Sequence, residues 1–146
     1  MMNMVRTLTP TAATLIVVAM FVVATDFQAQ NNLAATSLLL KVDVPRANEL
    51  AREIYLKHGE QPIVASTYAF SLFLQGRTRE ALDAFAKFKT EDLESPPIAL
   101  YYGVFLSANG ETNKALKYLE IARGNASAFL PEERALMAKG GDPLFQ

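Results

Sequence analysis

Residues 96–129, PPIALYYGVFLSANGETNKALKYLEIARGNASAF, decide the fold, because they contain two apolar helical patterns separated by a glycine. Pro97 stands where proline is favoured, in the first turn of a helix. Gly110 supplies the permissive backbone that ends this helix, and Thr112 begins the next. Apolar residues at helical spacing define one face of each helix: Tyr101, Tyr102, Phe105 and Leu106, then Ala115, Leu116, Leu119 and Ala122.

The same design recurs along the chain with a period of 34 residues, and a fixed period of this length indicates stacked repeats. Gly76 and Gly110 keep this spacing. Small residues that recur in register let two helix backbones approach closely. Three columns of three residues share the period: Ala47, Ala81 and Ala115; Leu38, Leu72 and Leu106; Ala35, Ala69 and Gly103. The sequence therefore predicts a repeat domain over 28–130 with units 28–61, 62–95 and 96–129.

The second unit is expected to follow the pattern of the third. A helix over Ile63–Gln75 ends at Gly76, and Thr78 caps a helix that continues to Lys89. One face of that second helix carries Ala81, Leu82, Phe85 and Phe88. The acidic residues that follow it, before the next proline pair, are expected to form a solvated loop: Glu91, Asp92 and Glu94.

The first unit is a variant of the same design, and a short helix closes the chain. A helix over Asn31–Leu40 is followed by a helix that Asp43 caps and that runs to His58. Residues 131–146 are expected to be a capping helix and tail, since Pro131 begins a segment with acids first, a base last and glycines after it. This helix is expected to cover the open face of the third unit.

The 34-residue pattern resembles the tetratricopeptide repeat over Gln28 to about Phe129. In the third unit, the family's small and bulky positions are occupied by Tyr102, Gly103, Leu106, Ala115, Leu119 and Ala122. The chain departs from the family's pattern at three positions. The family's tryptophan is replaced by Asn31, Ala65 and Ala99. The small twenty-seventh residue is replaced by Ile54 and Phe88, and the closing proline is replaced by Gly59, Leu93 and Ser127. The LPEER segment also resembles the C-terminal part of longer bacterial proteins of this family.

The resemblance implies an all-α, right-handed superhelix of about three helix pairs with a C-terminal capping helix. It also implies a scaffold whose first helices line a concave surface that binds a partner protein or peptide. By register, ten residues would line that surface: Asn32, Thr36, Leu39, Ser66, Phe70, Phe73, Leu100, Tyr101, Val104 and Ser107. Family members that clamp a C-terminal carboxylate use Lys, Arg and Asn there, and only Asn32 fits, so an apolar helix or extended peptide is the expected partner. Interior packing is the alternative role for Phe70, Tyr101 and Tyr102.

Composition excludes several other functions. A formal net charge of −1 gives no field that would hold a nucleic acid. The chain has no Cys and a single His, so a thiolate or histidine metal site is excluded and no cofactor is expected. His58 is placed at a helix end, where its charge complements the dipole, and no nucleophile motif accompanies it. We therefore expect no enzymatic activity. The alternative to a free scaffold is an assembly subunit of a membrane-associated complex, and the oligomeric state is open.

The first 27 residues form an apolar N-terminal segment. Between Arg6 and Asp26 no residue is ionisable, and Leu15–Ala24 reads LIVVAMFVVA. This length fits an export signal better than a membrane span, which needs about 20 apolar residues. An anchor or an extra packed helix that begins near Pro10 are the alternatives. The expected location is therefore exported or membrane-anchored, with a cytoplasmic location left open.

Overall fold

A computed structural model describes residues 26–140, so the predicted N-terminal segment lies outside the described residues up to Thr25. Within 26–140 every regular element is a helix, which confirms the all-α prediction. A short 3-10 turn, Ala126–Ala128, precedes the last helix. The α-helices are α1 (Phe27–Leu40), α2 (Val44–His58), α3 (Pro62–Leu74), α4 (Thr78–Asp83), α5 (Thr90–Leu93), α6 (Pro96–Ala108), α7 (Thr112–Arg123) and α8 (Pro131–Gly140).

The helix boundaries follow the 34-residue period. The first helices of the three units end at Leu40, Leu74 and Ala108, and the second helices begin at Val44, Thr78 and Thr112. Both α3 and α6 have 13 residues and begin with a proline. Each helix pair is therefore joined by a turn at the same place in its unit.

The turns of the second and third units have the same hydrogen bonds. The backbone N–H of Arg77 donates to the carbonyl of Leu72 over 3.0 Å, and that of Glu111 donates to the carbonyl of Leu106 over 2.9 Å. Gly76 and Gly110 have φ of 77° and 84°, the left-handed region that favours glycine. In the first unit, two residues other than glycine, Lys41 and Asp43, have positive φ instead.

The core contains two of the three columns that defined the period, whereas Ala35 of the third column is only half-buried. Leu38, Leu72 and Leu106 are buried within one hydrophobic cluster, as the sequence predicted. The alanines of the second helices, Ala47, Ala81 and Ala115, are buried as well. Burial of a leucine side chain contributes about 1.5–3 kcal/mol, and a shared cluster means that each unit stabilises its neighbours.

The second unit differs from its prediction. Its second helix, α4, ends at Asp83, not at Lys89, because the backbone bonds tighten to i−3 partners at Phe85 and Phe88. Phe88 is half-buried at the place where the third unit has the fully buried Ala122. The tighter turns bury Phe85 in the core. The predicted acidic loop is also wrong in part, since α5 forms there.

Three smaller predictions also need correction. Leu116 is 42% exposed, and Tyr118 is buried in its place because it lies three residues after Ala115 on the same helix face. Asp43 occupies the position before α2 but makes no side-chain capping bond. Arg77, not Thr78, precedes the first residue of α4.

The chain's first described helix starts earlier than predicted. Asp26 caps α1, since its carboxylate accepts a hydrogen bond from the backbone N–H of Gln28 over 3.0 Å. The ring of Phe27 then stacks on the ring of His58, with centroids 4.2 Å apart. His58 thus lies in the last turn of α2, where it was predicted, and packs against α1.

Candidate functional site

The ten predicted surface residues lie on α1, α3 and α6, and these helices pack side by side, α1 against α3 and α3 against α6. We call the side of these helices that carries the ten residues the first-helix surface. On α1, Asn32 and Thr36 are exposed and Leu39 is half-buried. On α3 and α6, Phe73 and Tyr101 are half-buried, and the other five are buried: Ser66, Phe70, Leu100, Val104 and Ser107.

Aromatic rings join α3 to α6. The rings of Phe70 and Tyr101 have centroids 5.0 Å apart, and those of Phe73 and Phe105 are 4.8 Å apart. Such ring pairs contribute about 0.5–1.5 kcal/mol beyond the area that they bury. The aromatic residues of the predicted wall therefore serve the interior between two neighbouring first helices, which was the alternative reading of Phe70 and Tyr101.

Helix α8 lies on the first-helix surface. It packs mainly on α6, also contacts α7, and reaches α1. The sequence predicted a cap on the third unit alone, so the contact with the first unit corrects that prediction. The residues that α8 turns inward lie at i, i+3, i+4 and i+7 on one side of the helix. They are Glu133, Leu136, Met137 and Gly140.

The polar contact between α8 and α6 joins Tyr101 to Glu133. The Tyr101 hydroxyl donates to the Glu133 carboxylate over 3.0 Å. Burial raises the pKa of Tyr101 well above its usual value, and the neighbouring Glu133 charge raises it further. The hydroxyl therefore stays protonated and remains a hydrogen-bond donor.

The apolar contact between α8 and α6 is closest at the end of α8. A Cβ atom placed on Gly140 would lie 2.9 Å from Cγ2 and 3.5 Å from Cβ of Val104, so only glycine fits there without a shift. Met137, one turn earlier, is 6% exposed. Two predicted surface residues, Tyr101 and Val104, thus contact a helix that this chain itself supplies.

A second feature lies where α1 meets α3. Asn31 is 3% exposed, and within residues 26–140 its Oδ1 atom has no hydrogen-bond partner. The side chain borders an open cavity of about 170 Å³ that is lined by Phe27, Gln28, Asn31, Asn32, Ile63 and Val64. An unpaired buried carbonyl costs about 1–3 kcal/mol. The predicted surface residue Asn32 lines this cavity.

The inward residues of α8 were not predicted as part of the surface. The signal was present, because Glu133, Leu136, Met137 and Gly140 have the spacing of a helix that binds in a groove. The position of α8 relative to α1 cannot be predicted from the sequence, because this position depends on the path of residues 124–130.

Other kinds of site are not seen in the described part of the chain. Between residues 26 and 140, no group of His, Asp or Glu is arranged to hold a metal ion. No helix of that region has the length and apolarity needed to cross a membrane. Comparisons with protein-family models, curated proteins and solved structures gave no match.

Proposed function

We propose that this chain is a tetratricopeptide-type scaffold that binds a helix of a partner protein on its first-helix surface. The observation that carries the proposal is that this surface accepts a helix, α8, through Tyr101 and Val104. In helix-in-groove recognition, anchors at i, i+3, i+4 and i+7 fill an apolar groove, and α8 uses that spacing.

The repeat architecture supports the same proposal. Helix ends recur every 34 residues, and the turns after α3 and α6 share their hydrogen bonds. Stacked repeats of this kind form extended surfaces from equivalent helices. Within residues 26–140, Asn32 and Thr36 on α1 are exposed, so this end of the surface is accessible to a partner beside α8.

Exposed apolar residues of the first unit favour a second candidate function, that of an assembly subunit of a membrane-associated complex. Val42 and Leu56 are 59% and 69% exposed, and Leu33 is 57% exposed. Four of the eight large apolar side chains that are exposed within residues 26–140 belong to this unit, and apolar side chains exposed in one region are typical of interaction sites. In this function the first unit packs against a neighbouring protein, and the N-terminal segment tethers the complex. Mass spectrometry of the mature N-terminus tests the tether, which requires that Leu15–Ala24 be retained.

Site-specific photo-crosslinking in the native cell distinguishes the two functions. A photoreactive residue replaces Thr36 on the first-helix surface, Leu56 on the exposed side of α2, or Glu120 on α7 as an exposed control. The scaffold function predicts a defined crosslinked protein from position 36. The assembly function predicts a defined crosslinked protein from position 56 alone. Equal crosslinking from position 120 would refute both.

A further inference from the structure

We propose that α8 is a displaceable intramolecular ligand, which closes the first-helix surface until a partner helix with the same inward pattern replaces it. This inference rests on the proposed scaffold function and specifies its partner and its regulation. The pattern is an acidic residue, two apolar residues three and four positions later, and a glycine at the seventh, as in Glu133, Leu136, Met137 and Gly140.

Two of the 10 residues of α8 are buried. Only Met137 and Gly140 are buried, while Glu133 and Leu136 are half-buried and the remaining side chains are exposed. The guanidinium of Arg134 donates to the carbonyl of Phe129 over 2.8 Å, so it fastens α8 to its own connecting segment and not to α6. Helices with few buried contacts open at low free-energy cost.

The chemistry of the surface selects the partner. The half-buried Tyr101 hydroxyl donates to Glu133 in this structure, so a competing helix that brings a carboxylate to the same place keeps this donor paired. Val104 leaves no space for a Cβ atom opposite it, so the competing helix must have a glycine there, seven residues after its acidic residue. Between these two points, the core accepts apolar side chains like Leu136 and Met137.

A disulfide lock tests the inference directly, because the chain contains no Cys of its own. The Cβ positions of residues 104 and 140 are 3.5 Å apart, within the range of about 3.5–4.5 Å that disulfides span. The double variant Val104→Cys, Gly140→Cys holds α8 on α6 when oxidised and frees it when reduced. The single variants Val104→Cys and Gly140→Cys control for the substitutions themselves.

The probe is a fluorescent peptide with the sequence of residues 129–142, FLPEERALMAKGGD, measured by fluorescence anisotropy against the full chain. We expect the oxidised double variant to show no binding and the reduced variant to bind. The release variant Gly140→Ala, whose new Cβ clashes with Val104, should bind the peptide about tenfold more tightly than the wild type. A control peptide with Asp in place of Leu136 and Met137 should not bind.

Three results would overturn the inference. The first is equal peptide binding to the oxidised and reduced forms while circular dichroism shows the same helicity. The second is no peptide binding to either the reduced double variant or Gly140→Ala. The third is a dimer of Gly140→Ala in light scattering without peptide binding, because the occupant would then be a second copy of this chain.

Failure of the inference is distinguishable from failure of the scaffold function. Crosslinking from position 36 that is equal in the oxidised and reduced double variants would refute the displacement of α8 and leave the scaffold function standing. Absence of crosslinking from position 36 in every form, including Gly140→Ala, would refute the scaffold function itself.

Discussion

The close approach of α6 and α7 at Gly103 gives the sharpest stability prediction. A Cβ atom at this position would lie 2.9 Å from Cγ and 3.1 Å from the backbone nitrogen of Leu119. Leu119 is 1% exposed, so it cannot move into solvent, and the two helices must separate. Overpacking of this kind costs about 1–3 kcal/mol, and the gain in helix propensity on replacing glycine by alanine offsets about 1 kcal/mol of it.

The Gly103→Ala variant is therefore expected to lose up to about 2 kcal/mol of unfolding free energy, which lowers the melting temperature by up to roughly 8 °C. Gly124→Ala is the matched control. Gly124 has φ of −60°, and its added Cβ would meet nothing closer than 3.6 Å, so this variant should gain about 0.4–1 kcal/mol. Thermal and urea unfolding followed by circular dichroism measure both. A Gly103→Ala variant as stable as Gly124→Ala would refute the close packing of α6 on α7.

Four further predictions follow from single side chains. The folded-state pKa of Tyr101 lies above its ordinary value of 10.0, so its contribution to stability is complete below pH 10 and is lost as the pH rises above 10. Tyrosinate absorbance should therefore show Tyr101 ionising only as the helicity falls. The Tyr101→Phe variant should lack this step in absorbance. Phe105→Ala empties a fully buried site and should cost about 3–5 kcal/mol in urea unfolding. Lys117→Ala removes an exposed ion pair with Glu94 and should leave the melting temperature nearly unchanged. Asn31→Leu removes an unpaired buried carbonyl and should raise the unfolding free energy by about 1 kcal/mol, whereas a loss would show that Oδ1 has a partner.

The sequence predicts those parts of the fold that local patterns determine. Leu38, Leu72 and Leu106 recur with the helix ends, and Gly76 and Gly110 take the positive φ that their position in the turn requires. These features depend on residues close in sequence, since a helix is terminated by its own C-terminal glycine and its apolar face is set by a period of about 3.6 residues.

The sequence fails where packing between units decides the conformation. Phe88 continues the apolar face of the second helix and so predicted a long helix. In the structure α4 ends at Asp83, and tighter turns follow in which Phe85 is buried in the core. Leu116 was predicted on the apolar face of its helix, but its exposure and the burial of Tyr118 depend on which face of α7 meets α6. Local propensity is weak compared with such tertiary contacts.

The candidate surface was predicted in part for the same reason. Register alone placed ten residues on α1, α3 and α6, and the structure brings those helices together. The occupation of the surface by α8 depends on Val104 and Gly140, which are distant in sequence and show no shared pattern. Only a structure relates such residues, because their contact follows from the path of the chain.

The first helices of neighbouring units pack side by side in one register, and the proposed binding surface depends on this packing. Nuclear Overhauser effects between aromatic ring protons test this directly in a sample with labelled Phe and Tyr. We expect cross-peaks between Phe73 and Phe105, and between Phe70 and Tyr101, whose ring centroids are 4.8 Å and 5.0 Å apart. A folded, helical chain that lacks both cross-peaks would contradict the stacking of α3 on α6 and the surface that rests on it.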